Sequence, residues 1–506
     1  MAQAMLVENG KFIAVGEVDE VTHQADQSTQ RIDLKTKTVL PGFNDAHVHL
    51  WKVGQLALFI IDLRGVISIG ELQSRVGSHV SKIPVGSWII GRGFNEQLLE
   101  EKRMPSIADL DAISGQHPIY LIRTCAHIAV VNNMALQITG ITESTHAPQG
   151  GVIGKDENGN LTGAFYETAL GLVTKHIPPP SQDEYEQMID GGIQKMLSLG
   201  ITSVTDPAAH PELLKAYFSY TANHDSAIRL NVFPILLPDG GDHPYEIPAV
   251  HQSDFLTIDT VKFFSDGGLS GKTASLSRPY KNSPDHGILR LNPTQFYNLA
   301  CEAQQKGFRV ATHAIGDEAI QFVLGTYKKL YAEFGDKRNR VEHFGLPTRK
   351  HVEEMATYQF VAVPQPVFLY ELGENFIQSL DDDYLSFCYP IKSLLDRNIP
   401  VAFSTDGPVV GNLNPWSNIK NAIQRKTRLG NVISKSESIT LQQGIYAYTV
   451  GSAYAEGKEK FKGSIAPHHW ADFIVVDRNP IAVSIDELDL VQVEETYVNG
   501  ICQWKK

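Results

Sequence analysis

The stretch Pro41-Gly42-Phe43-Asn44-Asp45-Ala46-His47-Val48-His49 decides how the rest of the chain is read. Val39 and Leu40 read as the end of a buried strand, Pro41-Gly42 as the break after it, and His47 and His49 as two imidazoles one residue apart on extended backbone. Alternate residues of a strand point to the same side, so both rings can face one ion. A bare His-x-His in a polar loop is more often an accident of sequence. A strand that breaks just before paired ligands is instead how an α/β barrel presents chemistry at its carboxyl face.

Working outward, apolar β-branched runs at residues 201–205, 260–264, 309–312, 340–343, 360–363 and 400–404 alternate with longer helical stretches. Strand and helix in repetition predict a parallel sheet with helical crossovers. Polar residues at the strand ends select a closed, distorted (β/α)8 TIM barrel over an open sheet. Residues 65–175 do not follow the repeat and read as an insertion after the first strand, with a Gly- and Asn-rich turn at 154–163. Both chain ends have an all-β texture. Asn9-Gly10 marks a hairpin, and Phe473-Ile474-Val475-Val476 and Thr496-Tyr497-Val498 read as strands. The expected organisation is a small β-sandwich domain from residues 1–40 and 460–506, and a barrel over residues 41–459.

The totals narrow the function. The 506 residues carry 57 acidic against 44 basic side chains, a net charge of −13, which disfavours nucleic acid or an anionic membrane as partner. Cys125, Cys301, Cys388 and Cys502 are too scattered for a disulfide framework or a thiolate zinc site, which fits a reducing cytoplasm. With neither a leader-like start nor 18 uninterrupted apolar residues, secretion and membrane insertion are not indicated, and a cytoplasmic location is expected.

Four further elements carry chemistry. Lys262 lies in the apolar run Val261-Lys262-Phe263-Phe264, where desolvation favours a neutral amine over an ammonium. Such an amine can capture carbon dioxide as a carbamate, a two-oxygen ligand able to bridge two ions. A strand lysine is otherwise an ion-pair partner or a solvated charge. His313, in Ala311-Thr312-His313-Ala314-Ile315-Gly316-Asp317, and His343, in Arg340-Val341-Glu342-His343, each stand where a strand gives way. One such histidine is usually structural; two, downstream of His-x-His, favour ligation by neutral imidazole. Asp406, in Ser404-Thr405-Asp406-Gly407, is either a helix cap or a ligand that also takes a proton.

Together these motifs resemble the amidohydrolase superfamily in its YtcJ-like branch, amidohydrolase family 3. Leu121-Ile122-Arg123-Thr124-Cys125-Ala126-His127, Thr273-Ala274-Ser275-Leu276 and Ala471-Asp472-Phe473-Ile474 extend the resemblance over nearly the whole chain. It implies a (β/α)8 barrel with a β-sandwich from both termini. It implies two divalent ions, His47, His49 and Asp406 holding one, His313 and His343 the other, with carboxylated Lys262 between them. A homodimer also follows from the resemblance. Zinc is the expected metal for its redox inertness and Lewis acidity, with iron or manganese as alternatives.

Such a centre lowers the pKa of a water and polarises a carbonyl, the two needs of amide hydrolysis. The expected reaction is attack of metal-activated hydroxide on a non-peptide C–N bond of a small molecule, an N-substituted amide or formamide, with Asp406 shuttling the proton to the departing nitrogen. His127, Glu167 and Gln365 are expected to contact substrate, Gln365 from an exposed position on the pocket wall. A one-metal deaminase, a lactone or lactam hydrolase, a decarboxylase and a catalytically silent metal-binding protein are the rival readings.

Overall fold

The computed structural model describes residues 2–123, 128–148, 151–224, 227–238 and 243–506. His127 lies outside them. The chain divides into two compact units, one of residues 1–52 with 192–506 and one of residues 53–191.

In the larger unit, strands from both chain ends pair as the sequence predicts. Thr38–Pro41, Phe473–Val476, Val493–Val498 and Ile501–Lys505 form an antiparallel four-stranded sheet, with Phe473 opposite Pro41. Ala4–Glu8 and Lys11–Gly16 form the expected hairpin. Its turn residues Asn9 and Gly10 both have positive φ, 49° and 75°, the left-handed pair that a tight hairpin demands. An added Cβ at Gly10 would also fall 2.0 Å from Asn499 Oδ1, so that side chain would have to move. Phe12, Phe473, Val475 and Tyr497 form a common core beneath these strands.

The same unit holds two sheets built from the α/β repeat. One runs in the order His251–Gln252, Leu256–Ile258, Arg229–Pro234, Ile201–Ala209, Phe43–Asp45; the other joins Thr260–Phe264, Arg309–Ala314, Arg340–His343 and Val361–Val363, all parallel. The ladders do not merge into one continuous barrel sheet. Ile235 bridges Lys262 and Ala362 bridges Val401 as isolated pairs, and Ala46 N–H donates to Phe403 O at 3.1 Å. The expected strand at 400–404 is reduced to that single bridge: Pro400 O and Ala402 N–H pair with Ala362, and Phe403 O with Ala46, but Phe403 N–H donates to Ala447 O and Thr405 N–H to the Asp45 carboxylate.

Helices lie between the strands as expected, for example Pro293–Gln305, Asp317–Phe334 and Arg349–Tyr358. On Asp317–Phe334, Ile320, Val323, Leu324, Tyr327 and Leu330 recur at helical spacing and are buried. Each such side chain contributes roughly 1.5–3 kcal/mol. Tyr327 also donates its hydroxyl to Arg340 O at 2.8 Å, tying the helix to the strand that ends in His343.

The smaller unit has a six-stranded sheet in the order Ile61–Asp62, Ile89–Phe94, Ile119–Arg123, Ile128–Val131, Leu161–Glu167, Gly151–Lys155. It is parallel through the first three strands and antiparallel after them. Among the described residues no helix is long and apolar enough to cross a membrane.

Candidate metal centre

The parallel ladder places the strand-end residues side by side. Phe264 pairs with His313, and Ala314 with His343. Strand alternation alone would send Glu342 and His343 to opposite faces. His343 escapes it by adopting φ +70°, a left-handed conformation that costs a non-glycine residue on the order of 1–3 kcal/mol. Asp406 is similarly twisted, at φ +56°. The segment carrying it is laced to the His-x-His segment: Asp406 N–H donates to His47 O at 2.8 Å and His49 N–H to Gly407 O at 2.8 Å. Asp45 clamps both segments, accepting from Thr405 Oγ1 at 2.6 Å, Thr405 N–H at 3.1 Å and His47 N–H at 3.2 Å. Burial pushes its carboxyl up to about 7 despite those donors.

Three imidazoles have their tautomers fixed by what holds them. His47 Nδ1 lies 2.5 Å from Glu342 Oε2. Burial works to raise the Glu342 carboxyl, but the Arg340 guanidinium, 2.8 Å from its other oxygen, and His47 hold it below the usual carboxylate range. An ionised carboxylate only accepts, so Nδ1 carries the proton and Nε2 is bare. His343 Nδ1 lies 2.7 Å from Gln365 Oε1, while Gln365 Nε2 donates to Val363 O and Ser404 Oγ, both at 2.9 Å. That fixes the amide orientation and leaves His343 Nε2 bare. His313 Nε2 faces two acceptors, Asp266 Oδ1 and Gly267 O, each at 3.2 Å, which leaves Nδ1. Asp266 is itself oriented by the N–H groups of Ser275, Ile315 and Gly316 at 2.8–3.1 Å. A second group fixing the ring behind each candidate ligand is the usual arrangement around a bound metal.

Burial lowers His47 to about 4, with the Lys262 charge adding to it, and drives His343 well below its ordinary value. Both rings are therefore neutral and able to ligate at neutral pH. Asp406 is held below the usual carboxylate range: burial opposes ionisation, and the His49 hydrogen bond is the largest influence against it.

The donors converge. Ligand atoms of His47, His343 and Asp406 all lie within 4.8 Å of one another. Asp406 Oδ1 is 3.5 Å from His47 Nε2 and 3.4 Å from His49 Nε2. Tetrahedral zinc with bonds of about 2.0–2.2 Å requires neighbouring ligands roughly 3.3–3.5 Å apart, so the donor set fits a divalent ion. The His313 and His343 ring centroids are 4.4 Å apart. Lys262 is fully buried on the adjoining strand, its Nζ 4.7 Å from the Phe264 ring centroid. The imidazoles and Asp406 line a cavity of about 220 Å³ together with the apolar Leu269, Phe368, Leu372 and Phe376.

Two substrate-contact expectations fare differently. Gln365 is fully buried and is spent on His343, because the strand Val361–Val363 carries it into the core instead of out to a wall. Glu167 ends the strand Leu161–Glu167 in the smaller unit, exposed and at φ +52°. Glu342 was in a motif read from sequence and Asp266 lies two residues beyond Phe264, and neither was singled out. Adjacency to His343 was the only signal for Glu342, and alternation argued against it.

An α/β protein with a candidate metal centre at its strand ends is thus the class that the donors define. The chain belongs to the amidohydrolase family, whose profile matches residues 30–502. Over its full length it is 29% identical to a protein named "Putative amidohydrolase YtcJ" from Bacillus subtilis (strain 168), covering 96% of it. It is 27% identical to the N-substituted formamide deformylase of Arthrobacter pascens, covering 95% of that enzyme. Among solved structures, an uncharacterized metal-dependent hydrolase from Pyrococcus horikoshii aligns with TM-score 0.80 at 26% identity over 95% of both chains.

Proposed function

We propose that the protein is a metal-dependent hydrolase of a non-peptide C–N bond in a small neutral molecule, an N-substituted amide or formamide. The observation that carries this reading is the set of imidazoles whose bare nitrogens are fixed by Glu342, Gln365 and Asp266 around Asp406. Full-length similarity to a formamide deformylase supports the substrate class. In this reading His47, His49 and Asp406 would hold one divalent ion and His313 and His343 a second, with carboxylated Lys262 as a ligand of both. The (β/α)8 barrel is taken to close through the bridges at Lys262 and Val401, and the chain ends to form a β-sandwich.

Bound divalent ions supply Lewis acidity, which polarises a carbonyl and acidifies water. Asp406 takes the proton of the attacking water and returns it to the departing nitrogen, as general base and then general acid. The neutral imidazoles keep their geometry because their outer nitrogens are committed. The apolar wall takes the substituent and excludes water.

The test is a metal-replete sample assayed against N-substituted formamides, acetamides, lactams, lactones and amino-heterocycles. Amine release from amides supports the reading. Ammonia release from the heterocycles, with amides untouched, would replace it by a deaminase.

A further inference from the structure

Arg340 is fully buried, yet it neither ligates nor lines the cavity. It opens the strand Arg340–His343, and its guanidinium does two things at once. Nε and Nη2 grip the Glu342 carboxylate in a fork, at 2.8 Å to Oε1 and 3.0 Å to Oε2, and Nη2 also donates to Ala46 O at 2.7 Å. Glu342 belongs to the same strand as Arg340, whereas Ala46 follows Phe43–Asp45, the last strand of the other sheet. The guanidinium also lies over the ring of Phe233, 4.8 Å from its centroid, on a third strand of that other sheet. One side chain therefore joins the two sheets that supply His47 and His343.

Stability alone does not account for it. A buried ion pair is often no better than apolar residues of the same shape, and Arg340 leaves Nη1 without a hydrogen-bond partner among the described residues, a further cost. What the guanidinium does secure is geometry. Ala46 O and His47 N–H belong to one planar peptide group, held at the oxygen by Arg340 and at the N–H by Asp45 Oδ1 at 3.2 Å. The His47 ring is held by the same Glu342 that Arg340 grips. We infer that Arg340 is a positioning residue of the candidate metal centre: it fixes the His47 backbone through Ala46 O and the His47 ring through Glu342, and so sets His47 against His343. The inference deepens the proposed function and rests on its metal centre, whichever bond is cleaved. Lysine is no substitute, because a point charge cannot grip both carboxylate oxygens and reach Ala46 O together.

The experiment compares wild type with Arg340→Lys as full-length protein. Zinc affinity is measured by competition with a chromophoric chelator, ligand geometry by the visible absorption of the cobalt(II)-loaded protein, and folding by the melting temperature of metal-free protein. Arg340→Lys is expected to bind zinc about 10–100-fold more weakly, the scale for removing an outer partner of a ligand, with an altered cobalt spectrum. Wild-type zinc affinity in Arg340→Lys overturns the inference, whatever happens to its melting temperature. Weaker binding with an unchanged cobalt spectrum means general loosening instead of a displaced ligand, and overturns it too. If Arg340→Lys does not fold, Arg340→Met/Glu342→Gln, which buries no charge and keeps an amide oxygen for His47 Nδ1, decides by the same two readouts. No zinc binding by wild type overturns both the inference and the metal-dependent reading. The expected losses, with no hydrolysis of formamides or amides by wild type, keep Arg340 in its role and remove the hydrolase reading alone.

Discussion

The two walls of the cavity are built on opposite rules. On the polar side three of the six candidate ligands are imidazoles fastened from behind: His47 by Glu342, His343 by Gln365, His313 by Asp266. On the apolar side Leu269, Phe368, Leu372 and Phe376 are placed by packing against one another. The difference separates side chains that must be oriented atom by atom from side chains that need only fill space. Ligand geometry has to be pre-organised, because a freely rotating imidazole loses entropy when it binds an ion. An apolar wall has only to match shape and exclude water, which packing alone secures.

The comparison breaks most visibly where a ligand is removed. His47→Ala and His343→Ala are each expected to lose bound metal and turnover to background, while the circular dichroism of the folded protein is kept; unchanged metal content in either would reject the polar side as a metal centre. Next in size is Lys262→Ala, expected to be inactive and partly restored by millimolar formate or propionate, whose oxygens stand in for a carbamate. Full activity without any additive would remove Lys262 from the centre. Asp406→Asn keeps shape and an oxygen donor but cannot take a proton, so turnover should fall about 10²–10⁴-fold with a smaller loss of metal. Near-normal turnover would reject the shuttle.

Gln365→Ala probes fastening without touching a ligand. It frees the His343 ring, and metal affinity should fall about 10–100-fold, the usual consequence of removing an outer partner. A metal titration showing no change would mean that packing alone positions the ring. The smallest effect concerns Asp206, buried on Ile201–Ala209, where burial raises its carboxyl to about 6 although Tyr217 donates to it. Its folded-state pKa lies above the unfolded value, so the folded protein holds the proton longer. The associated stability is present below about pH 4 and is lost as pH rises towards 6. Asp206→Asn removes that dependence. Relative to wild type, its melting temperature in metal-free protein should therefore improve between pH 4 and pH 7, and a constant difference across that range would show that Asp206 does not titrate there.

Much of the polar side was legible because strand-end ligands leave a local signature: His47 and His49 two residues apart, and His313, His343 and Asp406 each at the end of an apolar run. The hairpin at Asn9-Gly10 and the pairing of the two chain ends were legible for the same reason, turn chemistry and alternation being local. What alternation could not reveal is the left-handed twist at His343 that brings Glu342 and His343 to one site, because φ +70° is imposed by tertiary contacts. Gln365 was misread as exposed for a related reason: its partner, His343, is 22 positions away in sequence. The apolar side carried no signal at all. Tyr389, which lines the cavity, sits in Phe387-Cys388-Tyr389-Pro390, and its placement depends on Arg425 and Gly345, which nothing in the neighbouring sequence announces. The segment 400–404 looked like a barrel strand because it is apolar, and its backbone does meet Ala362 and Ala46, yet Phe403 N–H turns to a helix end and the next residue, Thr405, to the Asp45 carboxylate.

The most direct measurement is the metal content of protein reconstituted with zinc and freed of excess, determined by elemental analysis alongside the His47→Ala variant. Five protein ligands and a carbamate exceed the needs of one tetrahedral ion, so the account predicts about two equivalents per chain in the wild type, lost in the variant. A firm ceiling of one equivalent, or metal retained after His47 is removed, would contradict it.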